Sequence, residues 1–447
     1  MDRIRKFNFY IIQFVAPTNG CDNRRCTLAT GGFTETLFTR TEVTSDASTN
    51  ADGRDARLSR SLSGTNLARA GDYNMRTVLQ AVRLTPGTTR VDIARQTGLT
   101  AATIANITGR LADMGLVRVT GRRLGGRGQP ALQLTVDPDG AYAIGINIDR
   151  DHLTLVTLDL AGAVRSRSSR EIAFPLPDDV LRFVREELET AIAAGGLDRS
   201  RIVGVGVALP DELGRIELPG RPAGYGVWSD TSIPQLLAEL LPWPIHCDND
   251  AAAAALGEAE YGTAFDNPSF FYLLISAGLG GGLVIDRSYH RGASNRSGEI
   301  GLMPDTSARR RGARIQDTVS VSALLDRLAE GGYPVAGVAA LDTLPEAAGP
   351  IVEAWLKASV RALTGPLIAI SCLLDPDAVL IGGRLPMSLI ARLASGLGDA
   401  LTALDLPARA TIMPAVMAQD APAIGAAILP FLDRLLPSDA ILIQAGR

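Results

Sequence analysis

Lysine is nearly missing from this chain of 447 residues: only Lys6 and Lys357 occur, so arginine carries almost all of the positive charge. Coding bias explains that skew as readily as function does. Cysteine is scarce too, with Cys21, Cys26, Cys247 and Cys372, and only the first two lie close in sequence. That argues against a disulfide framework and points to a reducing cytoplasm. A lone Cys21/Cys26 pair is weak ground for a metal site. The three histidines, His152, His246 and His290, are not at ligand spacing and receive no role. No apolar run approaches the length of a membrane span, so no membrane partner is expected. Arg3, Arg5 and Lys6 precede an apolar stretch at residues 7–15, but Asn8 and Gln13 interrupt it. It reads as a nonfunctional leader or a start placed too early. Residues 1–68 are rich in Thr, Ser, Asn, Asp and Arg without a period and are expected to be disordered, a tail ending near residue 70.

The net charge of −4 hides an asymmetry. Residues 1–70 carry 10 basic and 7 acidic side chains and residues 71–138 carry 9 and 4, which leaves −12 on residues 139–447. A basic module on an acidic body is expected where only the module meets a phosphate backbone.

Within the module, residues 89–114 carry the clearest pattern. Thr89 is placed to cap a helix, with Asp92 at the capping-box position. Gly98 breaks that helix and Thr100 caps a second. On the second, Ile104, Ile107, Leu111 and Met114 recur at helical spacing and predict a buried face. Ala101, Ala102, Thr103, Asn106 and Arg110 are left outward. Two short helices joined by a Gly-containing turn make a helix-turn-helix, whose second helix enters the major groove. The bland alternative is a helical hairpin in a core. An earlier helix over residues 74–84, with Met75, Val78, Leu79 and Val82 on one face, argues against it. So do strands at 116–120 and 131–136 around a basic, Gly-rich tip. Three helices and a hairpin make a winged helix, in which Arg122, Arg123 and Arg127 reach phosphate or a narrow minor groove.

From residue 140 strands and helices alternate. Strands are expected at 143–149, 153–160, 163–172, 201–208, 243–247, 269–276, 282–286 and 378–381. Helices are expected near 179–194, 234–241, 250–261 and 351–374. This is an α/β body of two similar lobes.

Ile144–Asp151, Cys247–Ala252, Ser276–Gly282, Ser297–Gly301 and Gly382-Gly383 follow one another along that body. In that order these five segments resemble the landmarks of the ROK family of sugar kinases and repressors. The winged helix matches the family's repressor branch through Thr89-Arg90, Ala94–Thr100, Gly115–Val117 and Gly126–Pro130. The resemblance implies an α/β fold in which an N-terminal winged helix-turn-helix (71–138) precedes a two-lobed, actin-like sugar-kinase body (139–447). It also implies DNA contact through Arg90, Thr100, Ala101, Thr103, Asn106, Arg110, Arg122, Arg123, Arg127 and Gln129. Asn249, Asp250 and Glu299 match hydroxyl-binding residues of the family, and Asp317 stands near a second sugar-contacting glutamate. Amide and carboxylate side chains suit paired sugar hydroxyls. As a plainer reading, Asn249 and Asp250 cap the helix that starts there.

Two departures matter. The first phosphate loop of the family's kinases reads Asp-x-Gly-Gly-Thr; here Asn147 replaces the Asp, and Asp149, Arg150 and Asp151 replace Gly-Gly-Thr. Carboxylates there repel a triphosphate and side chains block the close approach that glycines allow. Phosphoryl transfer is therefore expected to be lost, although Asp250 keeps the general-base position. The family's structural zinc needs His and Cys, yet residues 302–316 contain neither: Leu302 takes the His position and Arg309, Arg310, Arg311 and Arg314 fill the loop. No metal and no cofactor are expected.

The expected function is a cytoplasmic DNA-binding transcriptional regulator, a repressor, responding to a small carbohydrate as a homodimer or homotetramer on a double-stranded operator. The alternatives are an active sugar kinase with an appended DNA-binding module, and a body that serves only as an oligomerisation scaffold.

Overall fold

The computed structural model describes residues 67–123, 130–211, 213–215, 221–262, 266–335, 337–417 and 419–437. The N-terminal tail and the wing-tip residues Arg127 and Gln129 lie outside them.

The first helix, α1 (Leu67–Leu84), buries Val78, Leu79 and Val82. A two-residue strand, β1 (Thr88–Thr89), leads into α2 (Arg90–Thr97). The capping box forms as expected: the Thr89 hydroxyl accepts from the Asp92 amide, and the Asp92 carboxylate takes the Thr89 amide in return. The Thr89 hydroxyl also donates to the Asp92 carboxylate at 2.8 Å, and that bond, the one from the Thr89 amide and the charge of Arg123 hold the carboxyl below its ordinary range. Gly98 ends α2 at φ 71°, left-handed backbone that favours glycine. Thr100 then caps α3 (Ala101–Asp113), which buries Ile104, Ile107, Thr108 and Leu111. Met114 does not join that face: it is the C-cap, 50 % exposed, because the helix ends before a further turn could point it inward. Strands β2 (Val117–Arg123) and β3 (Ala131–Val136) pair antiparallel, and β3 also pairs with β1.

The body begins with β4 (Tyr142–Ile148), β5 (His152–Asp159) and β6 (Val164–Glu171), an antiparallel meander. Next come α4 (Pro177–Gly195), β7 (Ile202–Leu209), the short α5 (Ile233–Leu237) and β8 (Ile245–Asn249), the last two strands parallel to β4. Helix α6 (Asp250–Tyr261) crosses to the second lobe. That lobe has β9 (Phe270–Ile275), β10 (Leu279–Ile285) and β11 (Ser288–Tyr289), then α7 (Gln316–Val319), α8 (Val321–Glu330) and α9 (Gly349–Leu374). It closes with β12 (Ala378–Gly383), α10 (Met387–Thr402) and β13 (Thr411–Pro414), and α11 (Ala421–Arg434) returns to the first lobe. The sheet orders, β6-β5-β4-β7-β8 and β11-β10-β9-β12-β13, repeat one topology with the same parallel and antiparallel senses, so the two lobes are alike.

Between the sheets lie α6 and α11. Glycines let them touch: a Cβ on Gly145 of β4 would sit 1.9 Å from the Ala423 carbonyl oxygen, and one on Gly425 of α11 would sit 1.6 Å from that of Ala253. Any side chain there would push backbones apart. One helix departs from expectation. The stretch 346–374 is long and apolar enough to cross a membrane by length and composition. Here α9 instead buries Val352, Trp355, Leu363 and Leu367 in the core of the second lobe.

The winged helix is built into the body. Its buried side chains share one apolar cluster with Ala143, Val156 and Leu158 of the first sheet and Ile424, Ile428 and Phe431 of α11. Polar contacts reinforce the seam. Arg76 donates to the Asp433 carbonyl at 2.6 Å. Arg83, 6 % exposed, pairs with Glu260 and lies 4.5 Å over the Tyr261 ring.

Candidate DNA interface and effector cavity

Helix α3 presents Ala101, Ala102, Ala105, Asn106 and Arg110 to solvent, with Thr103 half-buried beside them. Small residues at its first turn let the backbone come close to a surface, and Asn106 and Arg110 have the donors that base edges and phosphates accept. Thr100 and Thr103 are tied to each other, hydroxyl to hydroxyl at 2.9 Å, while Thr100 caps the helix. Two of the expected DNA contacts have structural tasks as well. Arg90 Nε donates to the Thr108 hydroxyl at 2.9 Å and so braces α2 against α3. Arg123 on the wing strand reaches Asp92 at 2.8 Å, which fixes the wing to α2. Arg122 beside it is exposed.

In the body, a cavity of about 520 Å³ opens at the C-terminal ends of β7 and β8. Asp211, Arg215, Trp228, Asp248, Asn249, Arg291 and Asn295 line it, together with apolar Leu209, Leu213 and Ile233. Asn249 is both cap and lining: its Oδ1 accepts from the amides of Ala251 and Ala252. The plainer reading of that residue therefore holds without displacing the other. Arg291 grips Asp248 with two hydrogen bonds of 3.0 and 2.6 Å, a planar pair that sets one wall. The Trp228 indole donates to the Pro175 carbonyl, which fixes the ring.

Asp250 lies deeper, 7 % exposed. Burial pushes its carboxyl up to about 7, and the negative charge of Asp149 adds to that, against the opposing Arg150. Glu299 accepts from Arg296, whose guanidinium is also 3.9 Å from Asp211. Glu299 is thus linked to the cavity wall through Arg296. Asp317 is not brought to the cavity: it pairs with Arg310 and accepts from the Arg314 amide, holding the arginine-rich loop. Its neighbour Gln316 points elsewhere, toward Gly278 and Gly301, and does not line the cavity either. A Cβ built on Gly301 would meet Gln316 Oε1 at 3.4 Å, and one on Gly278 would meet it at 3.8 Å. Successive helical residues are turned about 100° from each other, so the two side chains point to different loops.

The two loops that resemble the family's phosphate loops are filled by the protein's own side chains. Asp149 and Arg150 are 1 % and 8 % exposed. A Cβ on Gly278 would meet Arg150 Nη1 at 2.8 Å, so the guanidinium lies against the loop at residues 276–282. Asn147 faces His152 at 3.1 Å, and His152 Nδ1 is 2.7 Å from Asp151. Asp151 in turn takes Arg384 from the turn after β12, and Arg384 also pairs with Glu171. Burial works against the Asp151 charge, but the bonds from His152 and Arg384 hold its carboxyl below the ordinary value. Asp149, Asp151 and His152 offer ligand atoms within 4.8 Å of one another. Both ring nitrogens of His152 and both Asp151 oxygens are already engaged, so the trio does not make an open cation site. His152, assigned nothing from the sequence, is a structural link.

Zinc does not fit the loop at 303–316 either. Asp305 organises it: this carboxylate, 6 % exposed, accepts from the amides of Ser307 and Ala308 and the hydroxyls of Ser307 and Thr318. Those bonds outweigh burial and depress its carboxyl.

Residues 143–431 match the ROK family, and residues 72–118 match the winged helix-turn-helix DNA-binding family. The chain is a member of the ROK family. This ROK protein is 28 % identical over 325 residues to an uncharacterized Sinorhizobium fredii protein, y4fQ, a match covering 72 % of this chain and 80 % of that one. It is 24 % identical over 231 residues to the xylose repressor of Bacillus spizizenii, covering 52 % and 60 % of the two chains. The match thus spans less than two thirds of that repressor. In fold it is similar to a ROK family transcriptional regulator described as a homolog of the E. coli Mlc protein, with 21 % identity, a TM-score of 0.59, and coverage of 84 % and 100 %.

Proposed function

We propose that this ROK protein is a DNA-binding transcriptional repressor whose body senses a small carbohydrate and does not transfer phosphate. The observation that supports it most is the pairing, in one chain, of an exposed α3 face with a polar cavity at Asn249. Helix α3 enters the major groove, where Asn106 and Arg110 read base edges, Thr103 and Ala101 allow the approach, and Thr100 sets its first turn. Arg90, Arg122 and Arg123, with Arg127 and Gln129 of the tip, add phosphate or minor-groove contacts. The body takes the carbohydrate through Asn249, Asp250 and Glu299, beside the fixed Trp228 ring, and associates into a homodimer or homotetramer. The protein works in the cytoplasm, where its operator is.

The non-enzymatic reading rests on the first phosphate loop. A kinase needs amides free to hold a terminal phosphate; here Arg150 lies against the opposing loop and Asp149 is buried beside it. Asp250, with its carboxyl near 7, is suited to accept a hydroxyl proton, which is the observation favouring the kinase alternative.

Two assays decide. Footprinting on DNA upstream of the gene and its neighbours should show two half-sites about 10 bp, or a multiple, apart. A coupled ATP-consumption assay over hexoses, pentoses and amino sugars should show no turnover. Turnover that Asp250→Asn abolishes would establish the kinase instead.

A further inference from the structure

We propose that helix α6 transmits occupancy of the cavity to the DNA-binding head through the Arg83–Glu260 pair; this rests on reading the cavity as the carbohydrate site. The helix begins at the cavity, where Asn249 caps it and Asp250 is its first residue. It ends, 12 residues or ~18 Å later, at Glu260 and Tyr261. There Glu260 pairs with Arg83 and accepts from Gln80 at 3.1 Å, and its carbonyl accepts from Arg83 Nη1 at 3.2 Å. Both Arg83 and Gln80 belong to α1, the helix against which α2 and α3 pack.

The body of α6 cannot absorb a shift. Every residue from Asp250 to Ala259 is buried. On one side Gly280 and Gly282 of β10 face Ala251 and Ala255, where a Cβ added to either glycine would come within 2.8 and 2.5 Å of the alanine Cβ; on the other, a Cβ on Gly425 would run into the Ala253 carbonyl. A small-residue helix held backbone to backbone has no soft side chains to compress, so a displacement at its start arrives at its end. The Arg83–Glu260 pair, with side chains 2 % and 12 % exposed, is the junction that carries it to α1. Glu260 and Arg83 are positioning residues: neither lines the cavity nor the exposed α3 face.

Hydrogen exchange on the full chain tests this, with Asp250→Asn as a ligand-free disturbance of the cavity end and D-xylose, D-glucose and N-acetyl-D-glucosamine as ligand probes. Asp250→Asn should change exchange at residues 76–84 by about threefold or more. Adding Glu260→Gln should remove that change while the response at residues 249–256 persists. Arg83→Gln repeats the test should Glu260→Gln fold poorly. A purely structural pair would alter the baseline at 76–84 and leave the response to Asp250→Asn intact. That result, or no change at 76–84 with Asp250→Asn alone, overturns the proposal. Where no sugar alters residues 249–256, the carbohydrate reading fails for those sugars, and the Asp250→Asn arm still decides the coupling.

Discussion

Arg384 and Asp151 meet across the interlobe cleft, Nη1 to Oδ2 at 2.6 Å, with Glu171 on the other guanidinium nitrogen. The bridge joins the turn after β12 in the second lobe to the β4–β5 hairpin in the first. It ties the two lobes together at that point.

Arg384→Met should therefore loosen the lobes without admitting a nucleotide, because Arg150 still covers the inner loop. Urea unfolding should show a loss on the order of 1–3 kcal/mol. An unchanged midpoint would show the bridge to be idle.

On the DNA side, Asn106→Ala should cost about 1–3 kcal/mol of operator affinity and relax preference at one base pair. Arg122→Ala should weaken all sequences alike and reduce the salt slope by about 1. Titrations of operator and scrambled duplex at several salt concentrations separate the two.

Asp250 has a pH signature. Its folded carboxyl sits near 7, above the ordinary 3.8, so the folded state holds the proton more tightly than the unfolded chain. The stabilisation is complete below about pH 4 and is lost as pH rises through 7. Relative to Asp250→Asn, the wild type should lose on the order of 2 kcal/mol between pH 5 and pH 8. Parallel stability profiles for the two proteins would contradict this placement of the carboxyl.

The arginine-rich loop should not depend on metal. Chelation should leave the melting temperature and operator binding unchanged, whereas Asp305→Ala strips four hydrogen bonds from a buried turn and should cost about 2–4 kcal/mol. A chelator-induced drop would point to a cation held elsewhere.

How much was legible in the sequence follows from the range of each interaction. Periodicity and capping are local, so Thr89, Asp92, Gly98, Thr100 and the buried face of α3 could be read directly; Met114 failed because the pattern runs on where the helix stops. The cavity was legible in part, since Asn249 and Asp250 sit in a recognisable run. Asp317 was read as near the cavity, but its carboxylate is taken by Arg310 and the Arg314 amide, partners that no local pattern marks. Arg384 and Arg83 could not be found at all. Their partners are 233 and 177 residues away, and nothing local marks an arginine that will find a distant carboxylate.

The seam between α1 and α11 bears on synthesis. Arg76 hangs on carbonyls at the end of α11, and Val78, Leu79 and Val82 share an apolar cluster with Ile428 and Phe431. The ribosome makes the head some 350 residues before the helix that seats it. During that interval the nascent polypeptide has a head without its mount, and the apolar face of Val78, Leu79 and Val82 gains its cover from Ile428 and Phe431 only once translation has passed α11.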